Sequence, residues 1–245
     1  MSRTSAASAA PIVPRPAVAS AVHRASDPRS LGDEAYAVIK RRILFNEYPG
    51  GFQILEESLC DDLGMSRTPL REALVRLQNE GMVEILPRRG VRVLPLTARD
   101  IADIYTVLSA LELLAARTLA AMPDNAQPVE RLQTEVDGMK RAMHDDDLTG
   151  WAMADERFHR ILVDESGNPR LANAARTLLD QSQRFRMFTL HLREKPTAST
   201  RNHAQLVVHL RRHDVEGAVA VHAGHRQRWD ENMRDLMQRF SIQQI

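Results

Sequence analysis

Residues 64–74 read Gly64-Met65-Ser66-Arg67-Thr68-Pro69-Leu70-Arg71-Glu72-Ala73-Leu74, a chain reversal followed at once by a helix start. Gly64 can adopt the left-handed conformation that ends one helix and turns the chain sharply. Ser66 can cap the next helix, and Pro69 falls in its first turn, where a missing N–H costs little. Leu70, Ala73, Leu74 and Leu77 then recur on one face, and Gly81 ends the element. Arg67 and Arg71, four apart, project from the other side, with Thr68 at the exposed N-terminal turn. In a helix-turn-helix such a second helix puts its N-terminal part into the major groove, where an arginine fork can pair with guanine O6 and N7.

Outward from this stretch the pattern stays regular. Ala35, Val38, Ile39 and Ile43 mark a helix that starts at Leu31 and stops before Tyr48-Pro49-Gly50-Gly51. Leu55, Leu59 and Leu63 mark a second. After Gly81, Val83 and Ile85 alternate with Glu84, Pro87-Arg88-Arg89-Gly90 makes a turn, and Val91 and Val93 alternate with Arg92, which predicts a hairpin. Three helices and a hairpin within residues 31–95 outline a winged helix. From Ser66 to Arg92 six arginines face three glutamates. Such an excess suits a polyanion, but it also suits a solvated helix face, and spacing alone leaves both readings open.

The chain as a whole is close to neutral, with 33 Lys and Arg against 32 Asp and Glu in 245 residues, so any nucleic-acid surface must be local. Residues 1–30 are rich in Ala, Ser, Pro and Arg and too poor in apolar groups to offset their ordering entropy; they predict a disordered arm, either a plain tail or a charged aid to DNA contact. Beyond Leu94-Pro95-Leu96 the strand pattern gives way to six helical stretches, near residues 98–122, 128–147, 149–166, 169–193, 198–212 and 214–240, so residues 96–245 predict an all-α antiparallel bundle. The fold class is therefore mainly α. The single cysteine, Cys60, excludes an internal disulfide and fits a reducing compartment. No run approaches the apolar length of a membrane helix and no secretory signal is visible, which points to the cytoplasm.

The string SRTPLREAL at 66–74, preceded by the Pro-Gly turn and followed by EGMVEILPRRGVRV, resembles the winged helix of GntR-family transcriptional regulators over residues 31–95. The resemblance implies that Arg67 and Arg71 contact bases and phosphates, that Ser66 and Thr68 contact the DNA backbone, and that Arg89 and Gly90 form the wing tip at the minor groove. Glu57 departs from those members that place a DNA-contacting arginine at this point of the second helix.

In the second domain Asp155 and His159 stand one turn apart in Asp155-Glu156-Arg157-Phe158-His159, so one helix face can offer both to one ion. His203 and His225 fall on two later helices. Three imidazoles and a carboxylate suit zinc, nickel or manganese and leave positions open for water or a ligand. Nine histidines in a helical chain also produce such pairs by chance. The same residues resemble the FCD ligand-binding domain of FadR-like regulators over residues 97–240, and six helices look like its VanR-type subgroup. That resemblance implies a divalent transition metal held by Asp155, His159, His203 and His225, with His222 as an outer or exposed group. It also implies a small organic-acid effector beside the metal. Many members carry an arginine four positions before the glutamate of the first long helix; Leu108 stands there, before Glu112, which leaves either a carboxylate bound directly by the metal, with Arg184 or Arg186 as candidate helpers, or a different, more apolar effector.

These readings predict a homodimeric, effector-controlled regulator, by default a repressor, on a roughly palindromic double-stranded operator, and not an enzyme. A metal-dependent hydrolase and an effector-independent architectural DNA protein are the alternatives. Against hydrolysis, Glu156, one residue from Asp155, points off the ligand face, where no general base is then provided.

Overall fold

The computed structural model describes residues 30–245, so the arm expected for residues 1–30 lies outside them except for Ser30. Ser30 caps helix α1 (Leu31–Leu44) in a reciprocal box with Asp33, a motif worth about 1 kcal/mol. Strand β1 (Gln53–Ile54), helices α2 (Glu56–Leu63) and α3 (Arg67–Asn79), and strands β2 (Val83–Leu86) and β3 (Gly90–Val93) complete the N-terminal unit. The sheet order is β1-β3-β2, antiparallel, with Ile54 opposite Val91 and Ile85 opposite Val91 on the other side. Leu70, Leu74 and Leu77 of α3 are fully buried with Ile39, Ile43, Leu59, Met82, Val83, Val91 and Val93. Gly64 ends α2 at φ 63, as its position before the turn requires.

Three details depart from the sequence reading. Leu55 is 54% exposed because it precedes α2 as its N-cap and lies off the apolar stripe. Ser66 occupies the N-cap of α3, but its hydroxyl makes no capping bond. The third strand, β1, is two residues long and has no alternation to read; it forms because Phe52 and Gly51 pair with Val93.

The C-terminal unit consists of α4 (Ala98–Ala121), α5 (Ala126–His144), α6 (Leu148–Asp164), α7 (Pro169–Phe188), α8 (Thr197–Arg211) and α9 (Val215–Arg239). Helix α4 runs through the middle, packed on α6, α7, α8 and α9. Helix α7 stops five residues earlier than the periodicity implies. Thr189 turns its hydroxyl back to the Phe185 carbonyl, and the Arg193 guanidinium donates to the carbonyls of Thr189 and Arg186, satisfying groups a longer helix would have used. An 18-residue window of α4 has mean hydropathy 1.4, long and apolar enough to cross a membrane, which corrects the expectation that no stretch approaches that length. The buried Glu112 at its centre and the four helices around it mark α4 as a core helix.

The two units meet along α7. Lys40 of α1 lies 2.7 Å from Asp180 and 2.9 Å from Glu80. Burial opposes the Lys40 charge, but Asp180 beside it holds its pKa above the ordinary lysine value. The Arg184 guanidinium donates to the Leu94 carbonyl at 2.9 Å. Residues 242–245 add a strap: Leu96 and Ile245 exchange both backbone hydrogen bonds at 2.9 Å, and Ala98 donates to Gln243. Ile242 and Ile245 are buried there with Leu96, Ile101, Tyr105 and Phe185. A side chain at Gly50 would collide with the Ile245 carbonyl, so the strap also touches the winged unit.

Candidate DNA-reading face and metal centre

On the winged unit Ser66, Arg67, Thr68 and Arg71 are all exposed, on the side of α3 opposite its buried leucines. Arg71 pairs with Glu56 through Nε at 2.9 Å, while its side chain stays 70% exposed. Arg76 pairs with Asp33 and stacks over Tyr36, and Arg92 pairs with Glu84. That leaves Arg67, Arg88 and Arg89 outside any ion pair among the described residues. Three of the six arginines read as a basic patch are thus already engaged. Arg88 and Arg89 form the hairpin tip, Arg88 at φ 62. Gly90 departs from its expected place at the tip: it is buried at φ 86, and a side chain there would collide with the Ile54 carbonyl of β1. It lets the third strand approach; Arg88 and Arg89 carry the charge.

In the bundle the ligand nitrogens of His159, His203 and His225 lie within 4.8 Å of one another, all buried. Helices α6, α8 and α9 supply one each. Asp155, one turn before His159, places Oδ1 2.8 Å from His203 Nε2 and 3.8 Å from His159 Nε2, while Oδ2 lies 3.1 Å from Arg186 Nε. Burial would raise the Asp155 pKa, but the Arg186 guanidinium and the nearby imidazoles hold it far below the usual carboxylate range. Burial pushes His203 down to about 4 despite Asp155, and it pushes His222 and His225 down as well. Neutral imidazoles beside an ionised carboxylate are the donor set a divalent transition ion requires, so these residues fit one. Phe158 stacks on His203 with centroids 4.3 Å apart and fixes its ring.

Beneath this set lies Glu112, fully buried in α4. Its Oε1 is 3.0 Å from His159 Nδ1, without the angle of a hydrogen bond, and its Oε2 is 3.1 Å from His222 Nε2. Arg226 of α9 lies 3.4 Å from Glu112 Oε2 and donates to Ser109 at 3.0 Å. Burial opposes ionisation of Glu112, and Arg226, with His159 and His222, more than reverses that. A carboxylate behind a ligating imidazole fixes which nitrogen carries the proton and so which one faces the ion.

Comparison with known proteins accords with both halves of this geometry. Residues 103–228 match the family described as FCD domain, and residues 31–93 match "Bacterial regulatory proteins, gntR family". The chain belongs to the GntR family and carries an FCD domain. It is 45% identical over 131 residues to an HTH-type transcriptional regulator in the TAR-I ttuE-ttuC' intergenic region of Agrobacterium vitis, covering 53% of this chain and 77% of that protein. It is 22% identical to the HTH-type transcriptional repressor RspR of Escherichia coli, covering 85% and 91%. Among solved structures, E. coli McbR/YncC superposes with a TM-score of 0.73 at 22% identity over 86% of this chain and 99% of that one, which speaks to the fold.

Within this GntR-family bundle the expected effector residues divide. Arg186 faces the histidine cluster through Asp155, whereas Arg184 faces away and binds the Leu94 carbonyl, where burial alone lowers its pKa to about 10. Leu108 is fully buried in the apolar core. His222, expected as an outer or exposed group, is 1% exposed and lies outside the three-histidine cluster, with its Nε2 3.1 Å from Glu112 Oε2, the outer of those two places. Glu112 and Arg226 were not among the expected site residues. The signal was there for both: a single acid amid Leu108–Ala116, and an arginine four after His222, on its face.

Proposed function

We propose that this GntR-family chain is a cytoplasmic, homodimeric repressor that binds a roughly palindromic operator through Arg67, Arg71, Ser66, Thr68 and Arg89, and that an anionic effector at a metal-containing pocket sets its grip. The observation that carries the control half is the convergence of His159, His203 and His225 from three helices onto one buried point beside Asp155. Asp155, His159, His203 and His225 would hold a divalent zinc, nickel or manganese ion. When bound, the ion supplies a Lewis-acidic anchor for a carboxylate oxygen.

Charge balance narrows the effector. Asp155 and Glu112 are offset by Arg186 and Arg226, and burial disfavours the charged forms of His203, His222 and His225. A divalent ion adds two positive charges in a site whose groups are at most 5% exposed, and an uncompensated buried charge is costly. A dicarboxylate compensates both. Its entry must part helices of the closed bundle, and α7, which carries Arg186 at the pocket and Asp180 and Arg184 at the winged unit, conveys that displacement to the DNA-reading face. Some relatives are named repressors, among them RspR and the gluconate operon repressor of Bacillus subtilis.

The test is elemental analysis of untagged protein, followed by thermal-shift and operator-binding measurements with mono- and dicarboxylates before and after chelation. About one ion per chain, and dicarboxylate effects on melting and DNA affinity that vanish on chelation, support the reading. Metal content that stays far below one after adding zinc, nickel or manganese overturns it.

A further inference from the structure

Three residues packed around Tyr105 each bury a polar atom that has no hydrogen-bond partner among the described residues: Arg226 Nη2, Trp229 Nε1 and Ser182 Oγ. Unmet donors inside a protein are rare and costly. The Arg226 guanidinium lies 5.1 Å from the Tyr105 ring centroid, the Trp229 ring lies 5.6 Å from it, and the Tyr105 hydroxyl donates to the Ser182 carbonyl at 3.3 Å. Arg193 closes the group, 4.8 Å over the Trp229 ring. Its Nε and Nη2 donate to the carbonyls of Thr189 and Arg186; its Nη1 makes no bond and its charge enters no ion pair among the described residues. Burial, with Arg186 nearby, lowers its pKa to about 10, as expected of a cation short of counter-charge. Asp230, next to Trp229 in the chain, lines a groove with Ala98 and Ala102 instead.

We propose that Arg193, Arg226, Trp229 and Ser182 form a second station of the effector pocket, which takes the far carboxylate of a dicarboxylate whose near carboxylate anchors at the histidine cluster. The inference rests on the effector reading above and adds where the second acid group goes. Guanidinium and indole N–H groups only donate, and a hydroxyl can, so the group suits an acceptor-rich planar anion. The rings of Tyr105 and Trp229 hold water off and strengthen the attraction. Its distance from the cluster is set by the helices: Trp229 is four residues beyond His225 on α9 and Tyr105 is seven before Glu112 on α4, rises of about 6 and about 10 Å. Arg226 stands between, held by Ser109 at 3.0 Å and facing Glu112 at 3.4 Å. A monocarboxylate anchored at the cluster leaves the station empty, and a dicarboxylate must have the length to reach it. Tyr105 is also buried with Leu96, Ile242 and Ile245, so a filled station presses on the junction with the winged unit.

Isothermal titration of the untagged, zinc-loaded full chain with straight-chain dicarboxylates from malonate to pimelate, and with monocarboxylates of equal carbon number, tests this. Wild type prefers one chain length and binds that dicarboxylate about a hundredfold tighter than the matching monocarboxylate. Arg193→Gln, and Trp229→Phe, which keeps a ring but loses the N–H, each lower that ratio about tenfold while zinc content stays at the wild-type level. A merely structural role would weaken both kinds of acid alike and leave the ratio unchanged. If Arg193→Gln fails to fold by circular dichroism, Trp229→Phe decides. A wild type that binds neither kind of acid overturns the effector reading and this station with it. Monocarboxylates bound as tightly as dicarboxylates, or a preference undiminished in the variants, overturns the station alone.

Discussion

Arg67 is free to meet a phosphate or a base edge, and Arg71, 70% exposed, is held only by its pair with the half-buried Glu56, which DNA can displace. Arg67→Ala and Arg71→Ala are therefore expected to weaken specific operator binding by about 1 to 3 kcal/mol each with the fold intact; fluorescence anisotropy at fixed salt against operator and scrambled duplexes checks this. Glu56→Gln should act the opposite way, tightening binding to both duplexes as Arg71 is released, and unchanged affinity would mean Arg71 does not reach DNA. In the bundle, Glu112→Gln should lower metal affinity about 10- to 100-fold, since it removes the carboxylate behind His159 and His222; competition with a chromogenic chelator measures it. Arg184 shows what residue spacing could have excluded. Two residues along a helix turn a side chain by about 200°, so Arg184 and Arg186 cannot face one pocket, whereas His222, His225 and Arg226 at three- and four-residue steps can.

At the scale of elements, apolar periodicity named α1 to α9 because each buries a stripe, and that stripe is most of what a helix needs from its neighbours. Leu70, Leu74 and Leu77 are the clearest example, fully buried as expected. Leu74→Ala should cost the winged unit about 2 to 5 kcal/mol, seen as loss of DNA binding on mild warming. What periodicity cannot register is an element made by another element: β1 exists through its pairing with β3, and the end of α7 through Arg193 folding back. Helix α7 is also the one that touches both pocket and winged unit. Lys40→Met should leave metal content and effector-free operator affinity near wild type while shrinking the effector's influence on DNA binding, because it removes the ion pair to Asp180. Undiminished effector response would exclude α7 as the conduit.

Over the whole molecule, the winged unit and the bundle were legible because each carries its own apolar pattern, while their relation was not, since it depends on contacts between residues far apart in the chain. Lys40 with Asp180, Arg184 with Leu94, and Leu96 with Ile245 leave no periodic trace. Ile242→Ala is expected to destabilise the junction by about 2 to 4 kcal/mol, with limited proteolysis near Leu94–Thr97 accelerating before either unit melts; equal protection in the variant would deny the strap that role. The strap also sets an order of events at the ribosome. Residues 31–93 are translated and can fold on their own leucine core while the bundle is still being made. The strap emerges about 150 residues after Leu96, with which it pairs, and closing so long a loop comes late. A nascent chain thus owns its winged unit before it owns the contacts that seat that unit on the bundle, and any interruption of synthesis short of residue 242 would release the two without their strap.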